Sequence, residues 1–283
     1  MIWVPNLGWV RLKEKLRFEG RIRSATFSRQ ADRWFVSIQV DNDVLPKHQA
    51  NEAVGVDLGI HSLAHTSDGV SILAPKPLKK GLRALRRASR RLSKKQKGPF
   101  KRAKQKLKVQ RLHMKISNIR KDNLHKISSY LTSLYKNIAI ENLNVSGMLK
   151  NHKLSRAISD LGFSELRRQL EYKSKMYGTS LHIADRFFPS SKMCCSCGCI
   201  KEELSLKERT YSCSCGNSLD RDLNASLNLR NLICIGPARS ESTPREMTAL
   251  DLWKFSKGST SIEEVGNELQ TCLHKFHLAG VVN

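Results

Sequence analysis

Six of the chain's eight cysteines, Cys194, Cys195, Cys197, Cys199, Cys213 and Cys215, are crowded between positions 194 and 215. A chain of 283 residues can bury a hydrophobic core without covalent staples. Thiols clustered in such a chain point to a metal rather than to bridges. Cys194-x-x-Cys197 and Cys213-x-Cys215, with fifteen residues between the pairs and each pair followed by glycine (Gly198, Gly216), have the pattern of a zinc ribbon. Four thiolates complete a tetrahedral shell and leave no open position for water, which makes the ion structural. Cys195 with Cys197, or Cys197 with Cys199, could replace the first pair, but the knuckle favours the wider spacing. The second pair is tighter than the usual two-residue gap. Cys234 and Cys272 stand apart and read as small buried residues.

Charge sets the class of partner. Lys and Arg number 50 against 25 Asp and Glu, a formal net charge of +25. A surplus of that size describes binding to polyanions rather than fold, and nucleic acid fits it best because phosphate counterion release rewards many dispersed cations. The opening MIWVPNLGWV lacks a basic segment followed by a long apolar core, and no stretch approaches the roughly 18 apolar residues of a spanning helix. The expectation is a cytoplasmic protein with DNA as partner and no membrane.

Along the chain, residues 8–41 read as β, with Trp34, Val36, Ile38 and Val40 on one face and Ser37 and Gln39 on the other. We expect 1–50 to be part of a small barrel or wedge. AVGVDLGIHSLAHTSDGVSILA then suggests a three-strand meander over 53–74 with turns at Leu58-Gly59 and Asp68-Gly69. From Lys76 to Lys121 there are 20 Lys or Arg and no acid, yet Leu78, Leu82, Leu85 and Leu92 keep helical spacing. Gly98-Pro99 breaks that run, and Leu112, Ile116, Ile119, Ile127, Leu131 and Leu134 predict a second helix, so 76–135 is a basic helical hairpin. It has almost no aromatic residues, which argues for backbone contact rather than base stacking. NIAIENL (137–143) and SLHIAD (180–185) read as strands, and 164–177 as a helix closed by Gly178. DRDLNASLNLRNLI (220–233) reads as a last helix, and 236–283 as a weakly patterned tail. His61, His65, His125, His152 and His182 lack ligand spacing and read as core or surface residues. Trp34 and Trp253 read as packing residues.

Three acids fall on or just after the predicted core elements: Asp57 in VGVDLG, Glu141 in IAIENL and Asp222 in DRDLNAS. A carboxylate at the end of an apolar strand is costly unless something cationic pairs with it. Two magnesium ions held by clustered carboxylates would do so, and would suit phosphodiester hydrolysis. Each acid also has a plainer reading. Asp57 could open a turn, Glu141 could be a solvated strand-end charge, and Asp222 or Asp220 could cap the last helix. Their placement after a meander, after a later strand and at the start of a terminal helix matches an α/β RNase H-like (RuvC) mixed sheet, carrying an inserted basic helical hairpin and a small zinc ribbon.

GVDLG, AIENL, PSSKMCCSCG, ERTYSCSCG and DRDLNASLNL, in this order over roughly residues 20–235, resemble the TnpB or OrfB-type transposon-encoded family, relatives of type V CRISPR effectors. The resemblance implies a RuvC-like core over 51–189, a zinc ribbon over 190–219 and a last helix over 220–235. It also implies that Asp57, Glu141 and Asp222 are the catalytic, magnesium-holding acids, since the family pattern takes the Asp directly before Leu-Asn-Ala. The implied activity is RNA-guided, metal-dependent DNA cleavage, with a guide RNA as second partner and structural zinc on Cys194, Cys197, Cys213 and Cys215. Family members carry a longer N-terminal portion, and we expect a short form here. The alternatives are a nucleic-acid-binding regulator without cleavage and a truncated transposase relic.

Overall fold

The computed structural model describes residues 1–16, 19–41, 50–96, 98, 100–205 and 208–233, and the backbone of 245–247. Cys234, Trp253, Cys272 and the remainder of the tail lie outside the described residues.

The N-terminal segment is two antiparallel hairpins, β1 (Ile2–Val4) with β2 (Gly8–Val10) and β3 (Arg21–Gln30) with β4 (Arg33–Asp41). The alternation in β4 is as expected: Val36, Ile38 and Val40 are half-buried and the residues between them exposed. The expected barrel does not close, because each hairpin is a sheet of two strands with no third strand hydrogen-bonded to it among the described residues. Trp34 corrects another expectation. It is 69% exposed, with the Arg29 guanidinium over its ring rather than a core around it.

The main sheet starts with β5 (Asn51–Asp57), β6 (Ala64–Thr66) and β7 (Val70–Ile72), the expected antiparallel meander. Next come α1 (Pro77–Ser93) and α2 (Phe100–Leu134), which runs directly into β8 (Tyr135–Ile140). Then α3 (Val145–Leu149), α4 (Ser155–Leu161) and α5 (Phe163–Tyr177) lead to β9 (Ser180–Ile183). Glycines at φ 76° (Gly162) and 74° (Gly178) flank α5, the left-handed geometry that ends helices. A small hairpin, β10 (Thr210–Ser212) with β11 (Ser218–Asp220), precedes α6 (Arg221–Asn231) and a last short strand, β12 (Arg245–Met247). The sheet order is β12-β7-β6-β5-β8-β9, with β8 and β9 parallel to β5. The protein is thus mixed α/β, with a mixed sheet.

Alternation along β5 and β8 assigns one helix layer to each sheet face. Val54, Val56, Ile138 and Ile140 are buried in the core formed with Leu124, Ile127 and Leu131 of α2 and Leu166 and Leu170 of α5. Between them, Gly55 and Ala139, paired in register, point the other way. There Ala139 packs against Leu229 of α6. A Cβ on Gly55 would lie 1.9 Å from the Ser226 carbonyl oxygen and 2.4 Å from the Arg230 amide nitrogen, so strand and helix touch backbone to backbone.

The hairpin is tied down by polar contacts at its start and midway along it. α1 has no acid in its first turn and no cap from its own N-cap residue. Asp160 of α4 supplies one, accepting from the amides of Leu78 (3.0 Å) and Lys79 (3.2 Å) and from Arg120 at 3.1 Å. Gln105 of α2 donates to the Ala88 carbonyl at 2.9 Å. Leu112 is half-buried and Ile116, Ile127, Leu131 and Leu134 are buried, whereas Ile119 is 38% exposed. No described helix is long and apolar enough to cross a membrane.

Because helix backbone cannot move aside as a side chain can, Gly55→Ala should exceed the ~1–3 kcal/mol typical of overpacking. Thermal denaturation should show a fall in Tm of more than about 5 °C. An unchanged Tm would mean that α6 does not seat on β5 as described.

Candidate thiol cluster and carboxylate centre

The four thiols singled out by spacing do meet. Cys194, Cys197, Cys213 and Cys215 bring their sulfur atoms within 4.8 Å of one another. Cys194 Sγ lies 3.7 Å from Cys215 Sγ and Cys197 Sγ 3.6 Å from Cys213 Sγ. Zn–S bonds of about 2.3 Å at tetrahedral angles require S–S edges of about 3.8 Å, so the cluster fits zinc. Each knuckle turns through a left-handed glycine, Gly198 at φ 76° and Gly216 at φ 89°. The Gly198 amide closes on the Cys194 carbonyl (2.9 Å) and the Gly216 amide on the Cys213 carbonyl (3.0 Å). The one-residue gap of the second pair is therefore accommodated.

Burial opposes ionisation of Cys194, but the amides of Cys197 and Ser196 and the Asn217 side chain outweigh it and draw the thiol down to about 6. The Cys215 amide lowers Cys213 likewise. Hydrogen bonds within the cluster raise Cys197 and Cys215 in turn, so two of the four sulfurs give up their protons readily and two keep them. The two other cysteines have different work: Cys195 is buried against Leu223 and Leu227 of α6, and Cys199 is exposed, its carbonyl accepting from the Cys194 amide at 2.9 Å.

The acids converge from three elements. Asp57 ends β5, Glu141 directly follows β8, and the register pairs Val56 with Ile140, so both carboxylates leave parallel neighbouring strands at one level. Asp222 stands in the first turn of α6. Asp220, its rival, is the N-cap of that helix: its Oδ1 accepts from the Asp222 amide at 2.9 Å and the Leu223 amide at 3.1 Å. Burial pushes Asp57, which is 8% exposed, well above its ordinary 3.8, with the charges of Glu141 and Asp222 adding and Arg221 opposing. Burial also raises Glu141, against a hydrogen bond from Ser190. Asp57 and Glu141 share a side-chain hydrogen bond that raises the first and lowers the second, and the charge of Asp222 raises both. Three carboxylates, Asp57 buried and Glu141 and Asp222 half-buried, form a hard-oxygen donor set that suits magnesium.

Several residues at this centre escaped sequence reasoning. His65, read as scattered, pairs in register with Asp57, and its Nε2 lies 3.5 Å from Asp222 Oδ2. Arg209 and Arg221 approach Asp222 at 3.6 and 3.7 Å. Ser190 Oγ donates to Glu141 Oε1 at 2.6 Å. Asn224, Asn228 and Asn231 hold the carbonyls of Met193, Ser190 and Cys195 along one side of α6. Their signal was present: asparagine is a poor helix former, and three at i, i+4 and i+7 in a buried helix need polar partners.

A mixed α/β chain with a four-thiol ribbon leading into a helix that completes a buried acid cluster defines a narrow class. Residues 35–152 match the OrfB_IS605 family profile, described as "Probable transposase", and residues 163–229 match the Cas12f1-like TNB domain. A Streptomyces pristinaespiralis protein named "Putative RNA-guided DNA endonuclease" is 43% identical over 218 residues, covering 77% of this chain and 54% of that one. The Escherichia coli K12 protein "Putative RNA-guided DNA endonuclease InsQ" is 34% identical over 254 residues, covering 84% and 62%. A chain from a Cas12f1-sgRNA-target DNA complex matches with a TM-score of 0.45 at 18% identity, over 72% of this chain and 55% of that one. The chain belongs to the TnpB/OrfB family. It spans 54% and 62% of the two curated relatives' own lengths.

Two outcomes follow from this geometry. Elemental analysis should find one zinc per chain, lost in Cys213→Ser and retained in Cys199→Ser; retention in the first or loss in the second would refute the ligand set. The carboxylates set a pH dependence. Asp57 and Glu141 hold protons in the folded state that the unfolded chain releases near 3.8 and 4.5. Without divalent cations, the contribution of these two groups to stability should therefore be full below those values and be lost as pH rises through the raised folded ones, against the lowered Glu165 and Asp32, which act in the opposite sense. Magnesium should raise Tm more at pH 7 than at pH 5, and not in Asp57→Ala.

Proposed function

We propose that this chain is a metal-dependent DNA endonuclease of the RNase H/RuvC type, associated with a transposon and directed by a guide RNA. The observation that carries the reading is the convergence of Asp57, Glu141 and Asp222 on one end of the sheet from β5, β8 and α6, with Asp57 buried and the other two half-buried. The strand order of the meander and the two parallel strands beside it is that of an RNase H-like sheet. In this reading the core is 51–189, the ribbon 190–219 and the last catalytic helix 220–235, with 236–283 unassigned.

Asp57, Glu141 and Asp222 would hold magnesium, two ions in the fullest form, and Cys194, Cys197, Cys213 and Cys215 a structural zinc. Bound magnesium supplies activation of water and stabilisation of the leaving oxygen. The chain's own residues do the rest. Burial and mutual repulsion make the acids a strong trap for hard cations, and Arg209 and Arg221 offset charge at Asp222. The hairpin carries cations on exposed faces of α1 and the first half of α2, suited to following the backbone of a guide–target heteroduplex by shape. The names of the curated relatives support the same substrate and guide.

Labelled single- and double-stranded DNA, with and without RNA co-purified from the host, tests the proposal. Cleavage should require magnesium and fall at least about a thousandfold in Asp57→Ala or Asp222→Ala, within the range metal and electrostatic groups contribute. Dependence on the RNA would establish guidance. Asp220→Ala should separate the two aspartates, losing about 0.5–2 kcal/mol of stability with its cap while cleavage persists. Absence of cleavage by folded, zinc-loaded protein that still binds DNA would leave the binding-only regulator standing.

A further inference from the structure

We infer that Ser190 is a positioning residue for Glu141, and that Asn228 keeps it in register with the thiol cluster. The inference rests on the proposed acid centre and adds to it a residue that neither spacing nor family pattern assigned.

Glu141 has three side-chain torsions, and the charge of Asp222 favours its turning away, while a hydrogen bond shared with Asp57 holds only one side of it. The Ser190 hydroxyl opposes that, donating to Oε1 at 2.6 Å. Ser190 is 4% exposed, so water competes poorly for the bond. Its own position is fixed on both sides. Its amide donates to the Phe188 carbonyl at 2.9 Å, and its carbonyl accepts from Asn228 Nδ2 at 2.7 Å. The same Asn228 nitrogen reaches the Met193 carbonyl at 2.6 Å, where Asn224 Nδ2 also donates at 2.7 Å. Asn224 Oδ1 in turn accepts from the Cys195 amide at 3.0 Å. Met193 directly precedes Cys194, so a continuous set of short contacts runs from the thiols through α6 to the Glu141 carboxylate. Partners that orient a metal-ligating group typically change metal affinity by 10–100-fold when removed.

The test uses the zinc-loaded full chain titrated with manganese in a calorimeter, as wild type, Glu141→Ala, Ser190→Ala and Ser190→Thr, with zinc content and Tm read on the same samples. Ser190→Ala should keep zinc and Tm while weakening the Glu141-dependent manganese binding about tenfold or more. Ser190→Thr, which retains a hydroxyl, should recover most of it. Wild-type manganese affinity in Ser190→Ala, where Glu141→Ala has lost it, would overturn the positioning role and leave the acid centre intact. Loss of zinc in Ser190→Ala would also overturn it, making Ser190 part of the ribbon's fold. Manganese binding indifferent to Glu141→Ala would overturn the acid centre itself and this inference with it.

Discussion

The contact on which the arrangement depends is between two backbones, β5 and α6 at Gly55. Without a Cβ there, the Ser226 carbonyl and Arg230 amide come to the strand surface. Two consequences are built into that closeness. Asp57 lies two residues beyond Gly55 on the strand, and Asp222 one helical turn before Ser226 on the helix, so seating the helix brings the two acids to the same end of the sheet. Glu141 joins them because β8 runs parallel to β5 with Ile140 opposite Val56. Parallel pairing is what delivers two strand ends, and their carboxylates, to one edge. An antiparallel neighbour would have sent its acid to the opposite side.

Much of this was legible because period and punctuation are local. The meander, both hairpin helices, the strand before Glu141 and the helix closed by Gly178 follow from apolar spacing and from residues that break it. What stayed hidden depends on partners distant in sequence. Asp160 caps α1 from 82 residues away, and nothing near Leu78 announces it. His65 is opposite Asp57 only once the register of β5 and β6 is known. The N-terminal hairpins show the limit of alternation: Val36, Ile38 and Val40 share a face as expected, but alternation does not say how many strands close around it. Trp34 lies on that face by the same alternation, and it is exposed. The thiols were readable at a distance of fifteen residues because sulfur spacing and the glycine knuckles are themselves the geometry. The acids needed three separate elements to be placed before they became a site.

Charge is divided in a way that suits a polyanionic substrate. The acids stand at the carboxyl ends of two central strands and the start of α6, Asp57 buried and Glu141 and Asp222 half-buried, where like charge and lost hydration make them poor neighbours for a phosphate unless hard cations stand between. The exposed faces of the hairpin carry the opposite sign, spread along more than one helix. Attraction and chemistry are thus placed apart. Under the proposed function, cations on the hairpin would draw in a nucleic-acid backbone over a Debye length of about 8–10 Å, while a carboxylate cluster of opposite sign would repel it until hard cations had neutralised the cluster. A basic cleft lined by the same residues throughout could bind nucleic acid but could not hold the metal.

The position of the ribbon in the chain has its own logic. β11 pairs with β10 so that Thr210 faces Asp220, and Asp220 is both the last residue of that hairpin and the N-cap of α6. The knuckle at Cys213 and Cys215 forms the turn end of the same hairpin, with the Cys213 amide on the Asn217 carbonyl at 2.8 Å. Fixing the sulfurs therefore fixes the two strands, and the strands fix the first turn of the helix that carries Asp222. On the other side, the first knuckle follows the segment that Asn224 and Asn228 hold against α6. A single helix is thus gripped at its start by one half of the thiol cluster and along its side by the other. A four-thiol cluster whose last sulfur stands six residues before α6 therefore orients the helix start that carries Asp222 toward Asp57 and Glu141.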